Sequence, residues 1–203
     1  MTNSSVSIEQ DTGNPAPVDV YLGVDPGLNR TGYAILARGR RGPVLKEGGI
    51  IRSTRTLTLA RRVLEIGNGL REVIEAFGPQ VMAIEQVYST GRFPKTALLM
   101  AHARGAILMT AAERDIPVVH YTATQIKRLL TGSGRASKSQ IQHAVRAELS
   151  LKTIPEPNDV ADASAVALCL YYSVRRVAGV GLSHTKKTPD FALRSRIPED
   201  KQD

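Results

Sequence analysis

The order in which two hydrophobic periodicities occur along the chain restricts its architecture most. Three short apolar runs come first: VYLGVD at Val20–Asp25, then residues 31–37 and 44–51, with Gly42-Pro43 in the second connector. Runs of this length bounded by Gly and Pro read as strands. Connectors this short permit only antiparallel neighbours. Helix and strand signals then alternate. Leu59, Val63, Ile66, Leu70, Val73 or Ile74, and Phe77 recur at helical spacing until Gly78-Pro79 stops them. Residues 81–84 make a buried apolar run, 96–114 a second helix, 118–121 a strand and 123–130 a short helix. Residues 131–135 (TGSGR) form a loop, and Ser137 caps a helix running to about residue 149. Asn158, after Pro155-Glu-Pro, is positioned to cap a last helix. The expected fold is therefore α/β: a mixed five-stranded sheet, three antiparallel strands followed by parallel ones, flanked by helices.

The ends of the chain lack this patterning. Residues 1–18 are polar and contain Pro15 and Pro17; after about Gly181 the apolar periodicity stops and Pro189 and Pro198 appear. Both read as disordered tails, 1–18 and 181–203, around one folded domain at 19–180. The single cysteine, Cys169, excludes an intrachain disulfide and suits a reducing compartment. It sits in an apolar run, 163–172, too short to span a bilayer. The opening MTNSSVSIEQD has neither the basic nor the apolar region of a secretory signal, so the expected location is cytoplasmic. The formal net charge is +8, yet no Lys or Arg precedes Tyr21 while three acids do. The folded body is thus more basic than the chain as a whole. Such a body favours a polyanionic partner, nucleic acid foremost; a merely soluble basic protein is the plain alternative.

Four carboxylates occupy awkward places. Asp25 ends the first apolar strand, and Glu85 follows the buried run Met82-Ala83-Ile84. Asp159 and Asp162 lie three apart at the start of the last helix and share a face. In open α/β sheets functional groups gather beyond the carboxyl ends of strands. If the first and fourth strands are parallel neighbours, Asp25 and Glu85 stand side by side there, and the last helix need only pack against that end to add two more. Carboxylates that close repel one another unless cations neutralise them. An all-oxygen set, with no zinc-type Cys/His spacing, suits Mg²⁺ or Mn²⁺. Two such ions suit in-line displacement at phosphate. Structural readings stand beside this one. Asp25 before Pro-Gly suits a turn. Asp159 and Asp162 suit the helix dipole. Glu85 suits an ion pair with an arginine.

Taken in order, GVDPGLNRTGYAIL, AIEQVY, SGRASKSQIQHAVR and NDVADASAVAL resemble the motifs of the RuvC family of Holliday-junction resolvases, over roughly residues 21–172. The resemblance implies a ribonuclease-H-like fold and a crossover junction endodeoxyribonuclease that makes paired symmetric nicks in four-way DNA junctions during recombination and repair. It implies 5′-phosphate and 3′-hydroxyl products and two Mg²⁺ per site, with Mn²⁺ as a substitute. By it, Asp25, Glu85, Asp159 and Asp162 match the metal-binding carboxylates, and Lys127 and Lys138 match catalytic basic residues near the scissile phosphate. Tyr88 takes the place of an aromatic that stacks on a base at the opened junction. Arg92, Phe93, Lys95, Arg135 and Ser137 join Lys138 and Tyr88 as candidate DNA contacts. The implied partners are a second copy of the chain, as a homodimer, and a branch-migration motor complex. The stretch Ser89-Thr-Gly-Arg-Phe-Pro-Lys95 departs from the usual family sequence: it lacks an Asn often found there and gains Arg92, Phe93 and Lys95. Phe93 is therefore a second candidate for the wedge. For the dimer, the face of the second helix bearing Ala97, Met100, Ala101, Arg104, Ile107 and Leu108 suits either an interface or the core.

Rival readings use the same residues. A ribonuclease-H-like enzyme acting on RNA fits the composition equally. Asp25-Pro-Gly27 with Thr31-Gly32 also resembles the phosphate loop of ATP-binding proteins of the actin and sugar-kinase type, but 203 residues leave little room for their duplicated domains. A binding module without metals would have no need of all four carboxylates.

Overall fold

The computed structural model describes residues 19–87 and 94–180. Its strands are β1 (Val20–Asp25), β2 (Arg30–Arg38), β3 (Pro43–Arg52), β4 (Val81–Glu85) and β5 (Val118–Tyr121). Its helices are α1 (Leu59–Phe77), α2 (Pro94–Ala112), α3 (Ala123–Thr131), α4 (Lys138–Glu148) and α5 (Asn158–Val180). The strands form one sheet in the order β3-β2-β1-β4-β5. β1 with β2 and β2 with β3 are antiparallel; β1 with β4 and β4 with β5 are parallel. The expected mixed sheet is present, and every expected strand and helix has a counterpart. Boundaries differ by a residue or two; α2 starts at Pro94 and ends at Ala112 rather than spanning 96–114.

Strand alternation assigns each side chain to a face. Leu22, Val24, Ile35, Met82 and Ile84 point to one side, where Ile66 and Leu70 of α1 and Ile107 of α2 bury them. Tyr21, Ala34, Leu36, Val81 and Ala83 point to the other, against α3, α4 and the apolar middle of α5. Each large apolar side chain so buried contributes about 1.5–3 kcal/mol. The run 163–172 is core, as expected, and Cys169 is fully buried within it. Burial pushes the Cys169 thiol up to about 12, so it stays protonated near neutral pH and serves as a packing group.

Local sequence sets the helix ends. Gly78 closes α1 in the left-handed conformation at φ 54°. Thr122 with Gln125, and Ser137 with Gln140, form reciprocal capping boxes that start α3 and α4. The expected cap at Asn158 is not found. Asn158 is the first residue of α5, and its side-chain oxygen accepts from Gln142 Nε2 of α4 at 2.8 Å. A tertiary partner has taken the group that local sequence offered to the helix. The stripe on α1 is also shorter at both ends than its spacing suggests, since Leu59 and Phe77 are exposed. Among the described residues no helix is long and apolar enough to cross a membrane. The expected tails at 1–18 and 181–203 lie outside the described residues, as do Tyr88, Arg92 and Phe93.

Candidate active site

Alternation carries the face assignment to the strand ends. Tyr21 and Gly23 face α5, so Asp25, two residues on, does too; Val81 and Ala83 face α5, and so does Glu85. The parallel pairing places Val24 beside Ile84, which makes Asp25 and Glu85 neighbours at the carboxyl edge of the sheet. The adjacency required of the first and fourth strands is therefore present.

Two glycines let α5 approach closely enough to add its own acids. A β-carbon on Gly23 would stand 2.4 Å from the Ala163 carbonyl oxygen, and one on Gly32 would stand 2.2 Å from the Asp159 carbonyl oxygen. No side chain fits at either position. The start of α5 therefore lies directly on β2 at Asp159 and on β1 at Ala163, which brings Asp159 and Asp162 near enough to act electrostatically on Asp25.

The electrostatics register this convergence. Asp25 is pushed up to about 8, first by burial and then by the charges of Glu85, Asp162 and Asp159, with Lys138 opposing. Glu85 is also raised, by burial and Asp162, against the pull of Lys127 and Lys138. The salt bridge that would have made Glu85 merely structural is absent among the described residues. Lys138 Nζ donates to Asp162 at 2.8 Å, and this bond raises the Lys138 pKa. Lys127, Lys138, Glu85 and Asp162 line one open cavity of about 270 Å³. Arg30 Nε lies 3.6 Å from Asp159. Among the described residues no three carboxylates stand converged as ready ion ligands. Asp159 and Asp162 are engaged instead by Arg30 and Lys138.

The donor set nevertheless fits a hard divalent cation. It consists of carboxylate oxygens, one of them pushed up to about 8 by burial and then by its like-charged neighbours, which is the environment that a bound cation relieves. The turn that carries Asp25 is well fixed. Thr31 Oγ1, fully buried, donates to the Gly27 carbonyl at 2.9 Å. Arg62 of α1 donates to Asn29 Oδ1 at 2.5 Å and to the Leu28 carbonyl at 3.3 Å.

The remaining candidates scatter more widely. Lys95 is exposed in the first turn of α2, and Arg135 is exposed in the loop before α4. Ser137 spends its hydroxyl on the α4 cap, accepting from Gln140 N at 3.2 Å. Arg30, Gly23 and Gly32 were not singled out by sequence as parts of the site. A glycine inside a strand does signal close backbone approach, and that signal was available at both positions.

An antiparallel trio extended by two parallel strands, with acids on adjacent strand ends and on a helix laid across them, is the ribonuclease-H-like architecture of a metal-assisted nuclease. The family model for crossover junction endodeoxyribonuclease RuvC matches residues 21–170. The chain belongs to this family. It is 48% identical over 161 residues to the crossover junction endodeoxyribonuclease RuvC of Rhodopirellula baltica, covering 79% of this chain and 90% of that protein. It is 40% identical over 152 residues to that of Desulforamulus reducens, covering 74% of this chain and 91% of that one. Among solved structures, T. thermophilus RuvC in complex with Holliday junction substrate superposes with a TM-score of 0.72 at 32% identity, over 78% of this chain and 96% of that one.

Proposed function

We propose that the chain resolves four-way DNA junctions by paired symmetric nicks, hydrolysing one phosphodiester in each of two strands of like polarity. The observation that carries this is the placement of Asp25, Glu85, Asp159 and Asp162 at one edge of the sheet, where burial first and the charges of the other three next push Asp25 up to about 8. Membership of a family with a relative solved on a Holliday junction supplies the substrate.

The four carboxylates would hold the cations. Two Mg²⁺, or Mn²⁺ in their place, supply charge neutralisation and Lewis-acid activation for in-line displacement at phosphorus. The chain's own groups do the rest. Asp25, whose pKa is raised to about 8, and Glu85, raised in the same direction, would be the carboxylates that a bound cation holds in the charged form. Lys127 and Lys138 stand over the Glu85 side, where their charge offsets what develops on the phosphate oxygens. The water oxygen bonds to phosphorus and loses a proton to solvent while the bond to the 3′ oxygen breaks and that oxygen takes up a proton, leaving a 5′-phosphate and a 3′-hydroxyl. Tyr88, with Phe93 as a second candidate, enters the opened crossover and replaces lost base stacking, worth about 1–3 kcal/mol per base. Arg92, Lys95, Arg135 and Ser137 contribute contacts to the DNA.

A four-way junction with paired cuts calls for a two-fold enzyme, and α2 offers a surface for one. Of the face that sequence left open as interface or core, Ile107 is buried in the core against α1, while Ala101 is exposed. The exposed stripe is Leu98, His102, Gly105 and Met109, with Leu98 64% and Met109 56% exposed. We assign the homodimer contact to this stripe. The folded domain is taken as 19–180, the location as cytoplasmic, and a branch-migration motor complex is carried over from the family resemblance as a further partner.

The reading is tested by offering the protein a four-way junction, a linear duplex of the same sequence and an RNA–DNA hybrid, each with a series of divalent metals. The junction should be cut and the other two spared, and Asp25→Asn should bind the junction without cutting it. Preferential cleavage of the hybrid would support the RNA-processing alternative instead.

A further inference from the structure

The carboxylates are flanked by cations on both sides, and the function proposed above uses only one side. Along the carboxyl edge the sheet order gives Arg30 on β2, Asp25 on β1, Glu85 on β4, and then Lys127 on α3 beyond β5. Beside Asp159, away from the lysine cavity, lies a second open cleft of about 290 Å³, lined by Arg30, Arg55, Asn29, Thr96 and Asp159 among others.

This cleft is held in shape. The turn after β1 and the connector between β3 and α1 are tied together: Ser53 Oγ donates to the Leu28 carbonyl, and Ser53 N donates to the Asn29 carbonyl at 3.3 Å. Arg62 is committed to the same tie, donating to Ser53 Oγ at 3.1 Å, to Asn29 Oδ1 at 2.5 Å and to the Leu28 carbonyl at 3.3 Å. Its guanidinium is therefore structural. The other two are not. Arg30 is 49% exposed and meets Asp159 only at 3.6 Å, a geometry worth little as an ion pair. Arg55 is exposed and has no hydrogen bond or ion pair among the described residues.

We propose that Arg30 and Arg55 form a second phosphate subsite, which grips a phosphate next to the scissile one on the side of the carboxylates opposite Lys127 and Lys138. The inference rests on the junction-nuclease reading of the same site. Adjacent strands lie about 4.8 Å apart, and phosphates recur every ~3.4 Å of rise along one DNA strand. A long guanidinium side chain one strand over from Asp25 is thus within reach of a neighbouring phosphate. The guanidinium fork suits phosphate oxygens better than a point charge does. Gripping the strand on both sides of the cut fixes the scissile phosphorus over the acids, and a positive group beside Asp159 offsets the repulsion between DNA and a cluster of carboxylates.

The test uses the full chain and synthetic four-way junctions, each carrying a single neutral methylphosphonate at one of the phosphates around the cut. Binding is read without divalent cation and cleavage is read with Mg²⁺. In the wild type, one flanking position should weaken binding and slow cleavage roughly 10-fold, as expected for a lost charge-assisted contact. In the Arg30→Ala/Arg55→Ala protein, that position should cost nothing further, and the slope of log binding constant against log salt should shrink by about 1. Because the neutral linkages also probe the wild type, the test does not depend on the variant alone. A wild type that cuts the unmodified junction but shows no penalty at any flanking position overturns the subsite. So does a variant that keeps the wild-type pattern of penalties and salt slope. A wild type that leaves the unmodified junction uncut overturns the underlying reading instead.

Discussion

Gly32 of β2 lies directly beneath Asp159 of α5, so close that a β-carbon on the glycine would stand 2.2 Å from the Asp159 carbonyl oxygen. Backbone does not yield as a flexible side chain does, so Gly32→Ala must lift the start of α5 or bend β2. The expected cost is about 1–3 kcal/mol of stability, as for overpacking elsewhere. Activity should fall much further, because Asp159 moves away from Asp25. Urea melts and junction nicking on the same preparation check this. A variant with lowered stability but wild-type nicking would show that the close approach serves packing alone.

Much of this arrangement is legible in the sequence, for identifiable reasons. Asp25 and Glu85 stand out because each sets a charge at the end of an apolar strand. Asp159 and Asp162 declare a shared face through helical spacing. Their meeting point was conditional, because strand adjacency is set by topology. Gly32, as a strand glycine, signals close backbone approach, but what approaches it is not legible, because Asp159 lies 127 positions away. Asn158 misled for a related reason: Gln142, on the neighbouring helix, takes its side-chain oxygen. On α2, residues Ile107 and Leu98 look alike in sequence, and only the packing against α1 separates the buried one from the exposed one.

The protonation of Asp25 gives a pH signature. Its pKa is raised from 3.8 to about 8 in the folded protein. Between these values the folded state keeps a proton that the unfolded state has lost, so stability of the metal-free protein falls as pH rises across that window and levels off above it. A divalent cation should expel the proton. Titration of Mg²⁺ or Mn²⁺ near pH 6.5, in buffers of differing ionisation enthalpy, should show proton release; near pH 9 release should vanish. Equal release at both values would mean that Asp25 does not take part in cation binding.

The exposed stripe on α2 predicts assembly. Met109→Glu sets a charge in the middle of an apolar contact without touching the core, since Met109 is 56% exposed. Sedimentation should show the variant as a monomer and the parent chain as a dimer. On a junction the variant should cut one strand at a time rather than two together. A dimer that survives the substitution would place the interface elsewhere.

Tyr88 separates binding from catalysis. Basic residues supply most of the affinity for DNA, whereas an inserted aromatic pays for unstacking at the point of cleavage. Tyr88→Ala should therefore reduce the cleavage rate by roughly 10-fold or more and leave junction affinity within a few-fold, in line with the worth of one stacked base. Gel-shift and single-turnover assays measure the two quantities separately. Equal losses would argue against a wedge, and no loss in either would pass the role to Phe93.

Everything above depends on Asp25, Glu85, Asp159 and Asp162 sharing cations. The most direct measurement is anomalous diffraction from crystals soaked in Mn²⁺. The expected result is density for two ions about 4 Å apart among those four side chains, with Lys138 and Arg30 released from Asp162 and Asp159. Strong Mn²⁺ peaks elsewhere, with both ion pairs intact and the space between the carboxylates empty, would contradict the account.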